Sequence, residues 1–148
     1  MLLFIDEYQL LQYDKKSALF TMDWKKASSR LSYKKVAKRF MSVASLIRKH
    51  KPQIMLANFE DMVYKQIWGE EQMFYHKIHQ VMKDAGIKKF AYIKSKDKIT
   101  QILFDQLIFN SELNKIETKA FATRAEAVSW LLSDPKIKEL QEKFAISA

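Results

Sequence analysis

The chain has 148 residues and a mass of 17.5 kDa, and 48% of its residues are apolar, which is enough for one domain with a buried core. It contains no Cys, which excludes disulfides, thiolate metal sites and a Cys nucleophile, and its 2 Gly and 2 Pro disfavour a turn-rich all-β fold. The formal net charge is +9, and the stretch between Asp23 and Glu60 holds ten basic residues and no acidic one.

A β-hairpin is predicted near the start of the chain. An apolar run covers residues 8–13, a polar break covers residues 14–17, and residues 18–24 alternate large apolar side chains with others. A period of two is typical of a half-buried strand, and a short polar break between two such runs favours a hairpin.

The next element is a helix predicted over residues 32–50. Apolar residues recur there at steps of three and four, which places them on one stripe. The members of this stripe include Val36, Phe40, Val43 and Ile47. Four cations fall off the stripe and are expected to face solvent, namely Lys34, Lys35, Lys38 and Arg39. Ser32 is suited to cap the start of the helix, and Pro52 is suited to end it.

Strands and helices alternate through the rest of the chain. The predicted strands lie at residues 53–57, 87–95 and 116–122, and the predicted helices lie at residues 70–85, 98–110 and 124–133. Gly86 is expected to close the first of these helices, Asp97 to cap the second, and the capping box that begins at Thr123 to start the third. Such alternation is typical of crossover connections. The expected fold is therefore α/β, with a mostly parallel sheet opened by a β-hairpin and helices on both faces.

One domain is expected over residues 1–148, with residues 135–148 forming a C-terminal helical tail. The apolar side chains of that tail would dock on the same domain or on a second copy, and they are Ile137, Leu140 and Phe144.

The segment over residues 119–132 carries a family resemblance. Phe121, Ala127 and the pair Trp130-Leu131 follow the spacing of a last strand that runs into a capped helix. This pattern, with the hairpin start and the Asn58 turn, resembles the SpoIIAA-like branch of the STAS superfamily, which is sometimes grouped with lipid-binding SEC14-type domains. The resemblance covers roughly residues 7–132. It implies a STAS-like fold and a non-enzymatic interaction or small-ligand module.

The chain departs from the phosphorylated STAS members at one place. In those anti-sigma-factor antagonists a serine follows the strand that here ends at Ala57, at a helix start where backbone donors would hold its phosphate. This chain has Asn-Phe-Glu-Asp-Met at that place, and no Ser or Thr occurs over residues 58–75. The phosphorylation switch of the family is therefore not expected here.

Residues 58–68 form the predicted partner or ligand region, because ligands bind beyond the carboxyl ends of strands in open α/β sheets. This connection is long and rich in large side chains that suit a partner or an apolar ligand. The predicted surface consists of Asn58, Phe59, Tyr64, Trp68 and Phe74. Two alternatives remain open. These residues cap the core or form a homodimer seam, or they line a pocket of several hundred Å³ for a small apolar or lipid-like ligand.

The basic face of the predicted helix is the second candidate. Lys34, Lys35, Lys38 and Arg39 would attract an anionic partner, and the alternative is a merely solvated helix face. Nucleic acid or an anionic membrane would use the same cations, but no recognised binding motif accompanies the charge.

No catalytic, cofactor or metal site is predicted. The two glycines form neither a dinucleotide fingerprint nor a phosphate loop, and no nucleophile elbow is present. The adjacent Glu60 and Asp61 are interpreted as capping or solubilising groups, and His76 and His79 lack a third metal ligand. The sequence therefore predicts a regulatory interaction module with a protein partner and without a cofactor.

A cytoplasmic location is expected. No apolar run approaches the roughly 20 residues that span a bilayer. The first seven residues also lack the basic lead-in of a signal peptide.

Overall fold

The computed structural model describes residues 1–63, 70–109 and 116–133, with the side chains of all of these except residues 33, 70–76 and 107–109. Its strands are β1 (Leu2–Ile5), β2 (Gln9–Asp14), β3 (Leu19–Trp24), β4 (Ile54–Asn58), β5 (Lys89–Ile93) and β6 (Glu117–Phe121). Its helices are α1 (Tyr33–His50), α2 (Glu70–Asp84), α3 (Lys98–Phe109) and α4 (Arg124–Leu131), with a short 3-10 helix at Lys26–Arg30. No helix among these residues is both long and apolar enough to cross a membrane.

The six strands form one mixed sheet in the order of the chain, β1-β2-β3-β4-β5-β6. The pairs β1–β2 and β2–β3 are antiparallel, and the three pairs from β3 to β6 are parallel. The predicted hairpin is the β2–β3 pair, in which Tyr13 lies opposite Phe20. The expected α/β class is confirmed, and the sheet is mixed, with its antiparallel strands first and its parallel strands after them.

Strand β1 was not predicted. It has four residues, its pairing with β2 is interrupted by a bulge between Leu2 and Phe4, and Leu2, Phe4 and Ile5 are all exposed. An edge strand with one covered face and an irregular register does not show the regular alternation of apolar and polar residues by which strands are predicted. The antiparallel part of the sheet therefore has three strands rather than two.

The order of the strands decides where the helices lie. Successive parallel strands with right-handed crossovers place α1, α2 and α3 on the same face of the sheet. The larger apolar cluster lies beneath these three helices and includes Phe20, Met55, Phe40 and Phe104. A smaller cluster, with Leu56, Ile93 and Leu131, lies beneath α4 on the opposite face. Helices cover both faces, as expected, with three of the described helices on one face and one on the other.

The ends of the helices follow local rules. The Ser32 hydroxyl accepts a hydrogen bond from the backbone N–H of Lys35 at 3.4 Å, and α1 ends at Lys51 in a left-handed conformation just before Pro52. At α4, the Thr123 hydroxyl accepts from the N–H of Glu126 at 3.3 Å. The Glu126 carboxylate accepts from the Thr123 hydroxyl at 2.8 Å, so half of the predicted capping box differs from its expected pairing.

Helix α4 ends at Leu131, two residues before the predicted end at residue 133. The predicted tail at residues 135–148, with its three apolar side chains, lies outside the described residues.

Gly86 closes α2, with φ of +89°, and this predicts the effect of substituting it. Gly86→Ala should lower the free energy of unfolding by about 1–2 kcal/mol, because a Cβ disfavours a left-handed backbone. Steric crowding is not the reason, since nothing lies within 4 Å of the added Cβ position. Chemical denaturation measures the loss. Gly86→Asn is the control and should cost less, because Asn tolerates positive φ; equal losses in both variants would contradict this account.

Candidate functional site

The carboxyl ends of β3 and β4 meet α4 in a closed polar cluster around Asp23. Asn58, which lies beside Asp23 in the sheet register, donates from Nδ2 to Asp23 Oδ1 at 2.9 Å. Arg124 donates to both oxygens of the same carboxylate, at 2.6 and 3.3 Å. The Asn58 side-chain oxygen in turn accepts from the N–H of Glu60 at 3.0 Å. The hydrogen bonds of the Asp23 carboxylate are therefore made with the side chains of Asn58 and Arg124.

Phe59, the second residue of the predicted partner surface, lies in the core. It is 3% exposed, and its ring stacks on Phe104 with centroids 4.3 Å apart and an interplanar angle of 13°. Tyr92 lies next to it, at 6.3 Å between ring centroids. The expectation that Phe59 contributes to an accessible surface is corrected, because the chain turns inward directly after β4. This residue follows the alternative in which large side chains of the region cap the core.

The other predicted residues of that surface have no described side chain. Tyr64 and Trp68 lie outside the described residues, and Phe74 belongs to α2 but its side chain lies outside them. In the described part of this region, the enclosed space beside Phe59 measures about 20 Å³. That is room for about one water molecule, whereas a carrier pocket needs several hundred Å³.

Glu60 and Asp61 face Lys96, which begins the turn after β5. The Lys96 Nζ lies 3.6 Å from Glu60 Oε1 and 3.4 Å from Asp61 Oδ1, and all three side chains are substantially exposed. The charge of Glu60, and then that of Asp61, raises the pKa of Lys96 above its usual value. Exposed ion pairs of this kind contribute little to stability. Among the described residues, these three groups line no enclosed cavity in which acid–base chemistry could take place.

A hydrogen-bond chain that the sequence did not reveal connects β5 with α3. Tyr92 donates from its hydroxyl to Asp105 Oδ1 at 2.8 Å, and Gln101 donates to the same oxygen at 2.7 Å. The side-chain oxygen of Gln101 accepts from the N–H of Ser95 at 2.7 Å. Burial, together with the hydrogen bond to Asp105, raises the pKa of Tyr92, so the phenol stays protonated at neutral pH. Only the Gln101–Asp105 spacing of four residues was visible in the sequence.

The structure describes the side chains of two of the three histidines, His50 and His79. The His50 ring lies 5.1 Å from the Tyr13 ring, and burial, followed by the charge of Lys49, lowers the pKa of His50. His79 is buried, and the His76 side chain lies outside the described residues. Within the described part of the chain, no group of three or more His, Cys, Asp or Glu side chains is placed to hold a metal ion.

Three of the four predicted cations on α1 face solvent. Lys34, Lys35 and Lys38 are exposed, and α1 contains no acidic residue that could neutralise them. None of the three has an ion-pair partner among the residues that the structure describes. These three lysines are called the α1 lysines below.

Arg39 differs from the α1 lysines because it is already bound. Its side chain is 21% exposed, and its guanidinium donates to both oxygens of Asp6, one at 3.2 Å. The same guanidinium lies 4.7 Å from the centre of the Tyr8 ring. Asp6 also accepts from the backbone N–H groups of Tyr8 and Gln9, each at 2.9 Å. The expectation that Arg39 offers a free charge to a partner is corrected. The Arg39 side chain instead connects α1 to the β1–β2 turn through its ion pair with Asp6.

Comparisons with known proteins returned no match to this chain among protein-family models, curated proteins or solved structures.

The position of Phe59 predicts a large stability loss on truncation. Phe59→Ala should lower the free energy of unfolding by about 3–5 kcal/mol, because it removes a fully packed ring from the core. Ile102→Ala is the control, since Ile102 is 56% exposed and its loss should cost less than about 0.5 kcal/mol. Urea denaturation measures both values. A small loss for Phe59→Ala would show that this ring does not pack in the core.

The Asp6–Arg39 pair predicts a pH-dependent contribution to stability. Burial raises the pKa of Asp6, but the hydrogen bonds from Arg39, Tyr8 and Gln9 outweigh it and lower the pKa below its usual value. The contribution of Asp6 is thus complete above the usual aspartate pKa of about 3.9 and is lost as the pH falls through the lower, folded-state value. Asp6→Asn should therefore lower the free energy of unfolding by about 1 kcal/mol at pH 7.

The difference in the free energy of unfolding between Asp6→Asn and the unsubstituted protein should shrink as the pH falls below about 4. Urea denaturation at several pH values measures it. Asp84→Asn is the control, because Asp84 is an exposed carboxylate at the end of α2 and its loss should change stability by less than about 0.5 kcal/mol. A constant difference across this pH range would contradict the role given to Asp6.

Proposed function

We propose that this chain is a non-enzymatic regulatory interaction module of the SpoIIAA-like, STAS kind, which binds an acidic protein partner through the α1 lysines. One observation carries the proposal. Lys34, Lys35 and Lys38 are exposed cations on one helix with no ion-pair partner among the described residues, while the polar groups at the carboxyl ends of the strands bind each other. Concentrated charge of one sign steers an oppositely charged partner and favours its binding.

The topology supports the family part of the proposal. A hairpin leads into parallel strands that follow one another in the order of the chain, and a helix capped by Thr123 follows the last strand. These features are in keeping with the resemblance carried by residues 119–132. The absence of Ser and Thr over residues 58–75 leaves charge and shape, rather than phosphorylation at this place, as the basis of recognition.

The state of the polar residues supports a non-enzymatic role. A general acid and base need two titratable groups that share an accessible cavity. The carboxylate of Asp23 is bound by Asn58 and Arg124. The carboxylate of Asp105 accepts a hydrogen bond from the Tyr92 hydroxyl, and the pKa of Tyr92 is raised. Neither carboxylate is left to act on a substrate.

The test is a capture experiment with a charge-reversed variant. The purified protein is fixed on beads and exposed to a nuclease-treated lysate of its own source. The triple variant Lys34→Glu, Lys35→Glu, Lys38→Glu should lose an acidic protein that the unsubstituted chain retains. With the purified partner, the affinity should fall about tenfold or more, since each exposed charge pair contributes roughly 0.2–1 kcal/mol.

The control carries the same change of charge at other exposed lysines, Lys77→Glu, Lys88→Glu and Lys98→Glu, and should keep the partner. Circular dichroism verifies that both variants are folded. If both triple variants lose the partner equally, the net charge of the protein, and not the position of the α1 lysines, is what retains the partner. If the partner is retained from an untreated lysate but not from the nuclease-treated one, the proposed class of partner is wrong.

A further inference from the structure

A groove lies between the β1–β2 edge of the sheet and α1, on the face that carries α1, and has a volume of about 510 Å³. Apolar side chains from both elements line it, namely Phe4, Leu11 and Leu46, and polar side chains contribute Gln9, Lys38 and Ser42. The groove therefore combines an apolar floor with a cationic rim.

One buried donor in the groove has no partner. Gln9 is 2% exposed, and its side-chain oxygen accepts from Arg39 at 3.3 Å. Its Nε2 has no hydrogen-bond acceptor among the described residues. A buried donor of this kind costs about 1–3 kcal/mol and commonly marks a place where a water, an ion or a ligand completes the structure.

Strand β1 runs along the groove and has the chemistry of an edge that accepts another strand. It is the terminal strand of the sheet, and no described strand pairs with its outer edge. It has no charged residue, and Leu2 and Ile5 are 55% and 54% exposed. The opposite edge strand, β6, carries the exposed charges of Glu117 and Lys119. Charges on an edge strand discourage pairing with other chains, so β6 is protected and β1 is not.

The positive charge of α1 favours an acidic segment at the edge of β1. Lys35 and Lys38 lie on the exposed part of α1, and Lys38 lines the groove. Arg39 is already neutralised by Asp6. Two copies that joined edge to edge at β1 would bring two such helices, each from a chain with a net charge of +9, towards each other. An acidic strand would instead be attracted.

We propose that an extended, acidic segment of a partner protein adds to the outer edge of β1 as a seventh strand, with its alternate apolar side chains in the groove against α1. This inference rests on the proposed function and names the form of the partner. Main-chain hydrogen bonds would hold the segment, and the groove and Lys38 would select its side chains.

The probe is a pool of synthetic decapeptides in which Glu alternates with Val, Ile, Leu or Phe. The protein on beads should retain members of this pool, and should not retain a matched pool with Lys in place of Glu. Ser42→Trp fills the groove from an exposed helix position and should weaken binding of the best peptide at least tenfold. Lys38→Glu should weaken it severalfold, while Lys77→Glu, the matched control on α2, should leave it unchanged.

Backbone methylation of the best peptide tests the added strand directly. Alternate N–H groups of a strand point towards its neighbour, so N-methylation at one parity should abolish binding and at the other parity should not. Equal effects at both parities, or equal retention of both pools, would overturn the inference. A dimer in solution that dissociates in a Leu2→Lys variant would also overturn it, because a second copy would then occupy the edge.

The outcome is separable from that of the proposed function. If the purified acidic partner binds Ser42→Trp as tightly as the unsubstituted protein but fails to bind the α1 lysine variant, the groove inference is wrong and the interaction module stands. Thermal unfolding of Ser42→Trp verifies that the variant keeps its fold.

Discussion

Strands β4 and β5 are covered on both faces, and the arrangement of the rest of the molecule follows from that constraint. Every residue of β5 is buried, and successive residues of β4 point alternately into the larger and the smaller apolar cluster. Even the charged residue of β5, Lys89, is only 7% exposed. Its Nζ donates to the carbonyl of Trp130 at 3.3 Å and lies 4.6 Å from the centre of the Trp130 ring. A cation at the carboxyl end of α4 is electrostatically favourable, so this burial is compensated.

Coverage of the sheet decreases from its centre towards β1. Helix α4 packs mainly on β4, β5 and β6, and it reaches β3 through the ion pair of Arg124 with Asp23. The faces of β1 and β2 are therefore unequal: Phe4 and Leu11 lie opposite each other beneath α1, whereas Ile5 pairs with Leu10 on the other face and is exposed. The Arg39–Asp6 pair joins the β1–β2 turn to α1, beside the apolar contacts of Leu11 with the same cluster. The β1 edge therefore lies where the described helices cover one face of the sheet only.

The charged groups at the carboxyl ends of the parallel strands differ from those on α1. At the carboxyl ends of the parallel strands, opposite charges and amides lie within hydrogen-bond distance and satisfy one another. On α1 the charge is of one sign, because the helix contains basic residues and no acidic ones. Groups that are already paired gain little from a partner, whereas exposed groups of one sign retain their attraction for an anion. This contrast is the reason for proposing that a partner binds at α1 and the neighbouring sheet edge rather than at the strand ends.

Most of the helices and strands, though not β1, could be predicted from the sequence alone, because they depend on residues close together in the chain. The apolar stripe of α1, its Ser32 cap, the Thr123 cap of α4 and the left-handed Gly86 all follow from spacings of a few residues. The exposure of the α1 lysines follows from the same periodicity. Three features could not be predicted from local patterns: Arg39 binds Asp6, 33 residues away, Phe59 turns into the core, and β1 is an edge strand of the described sheet. Contacts between distant segments depend on how the elements pack, and no local pattern records which segments will meet.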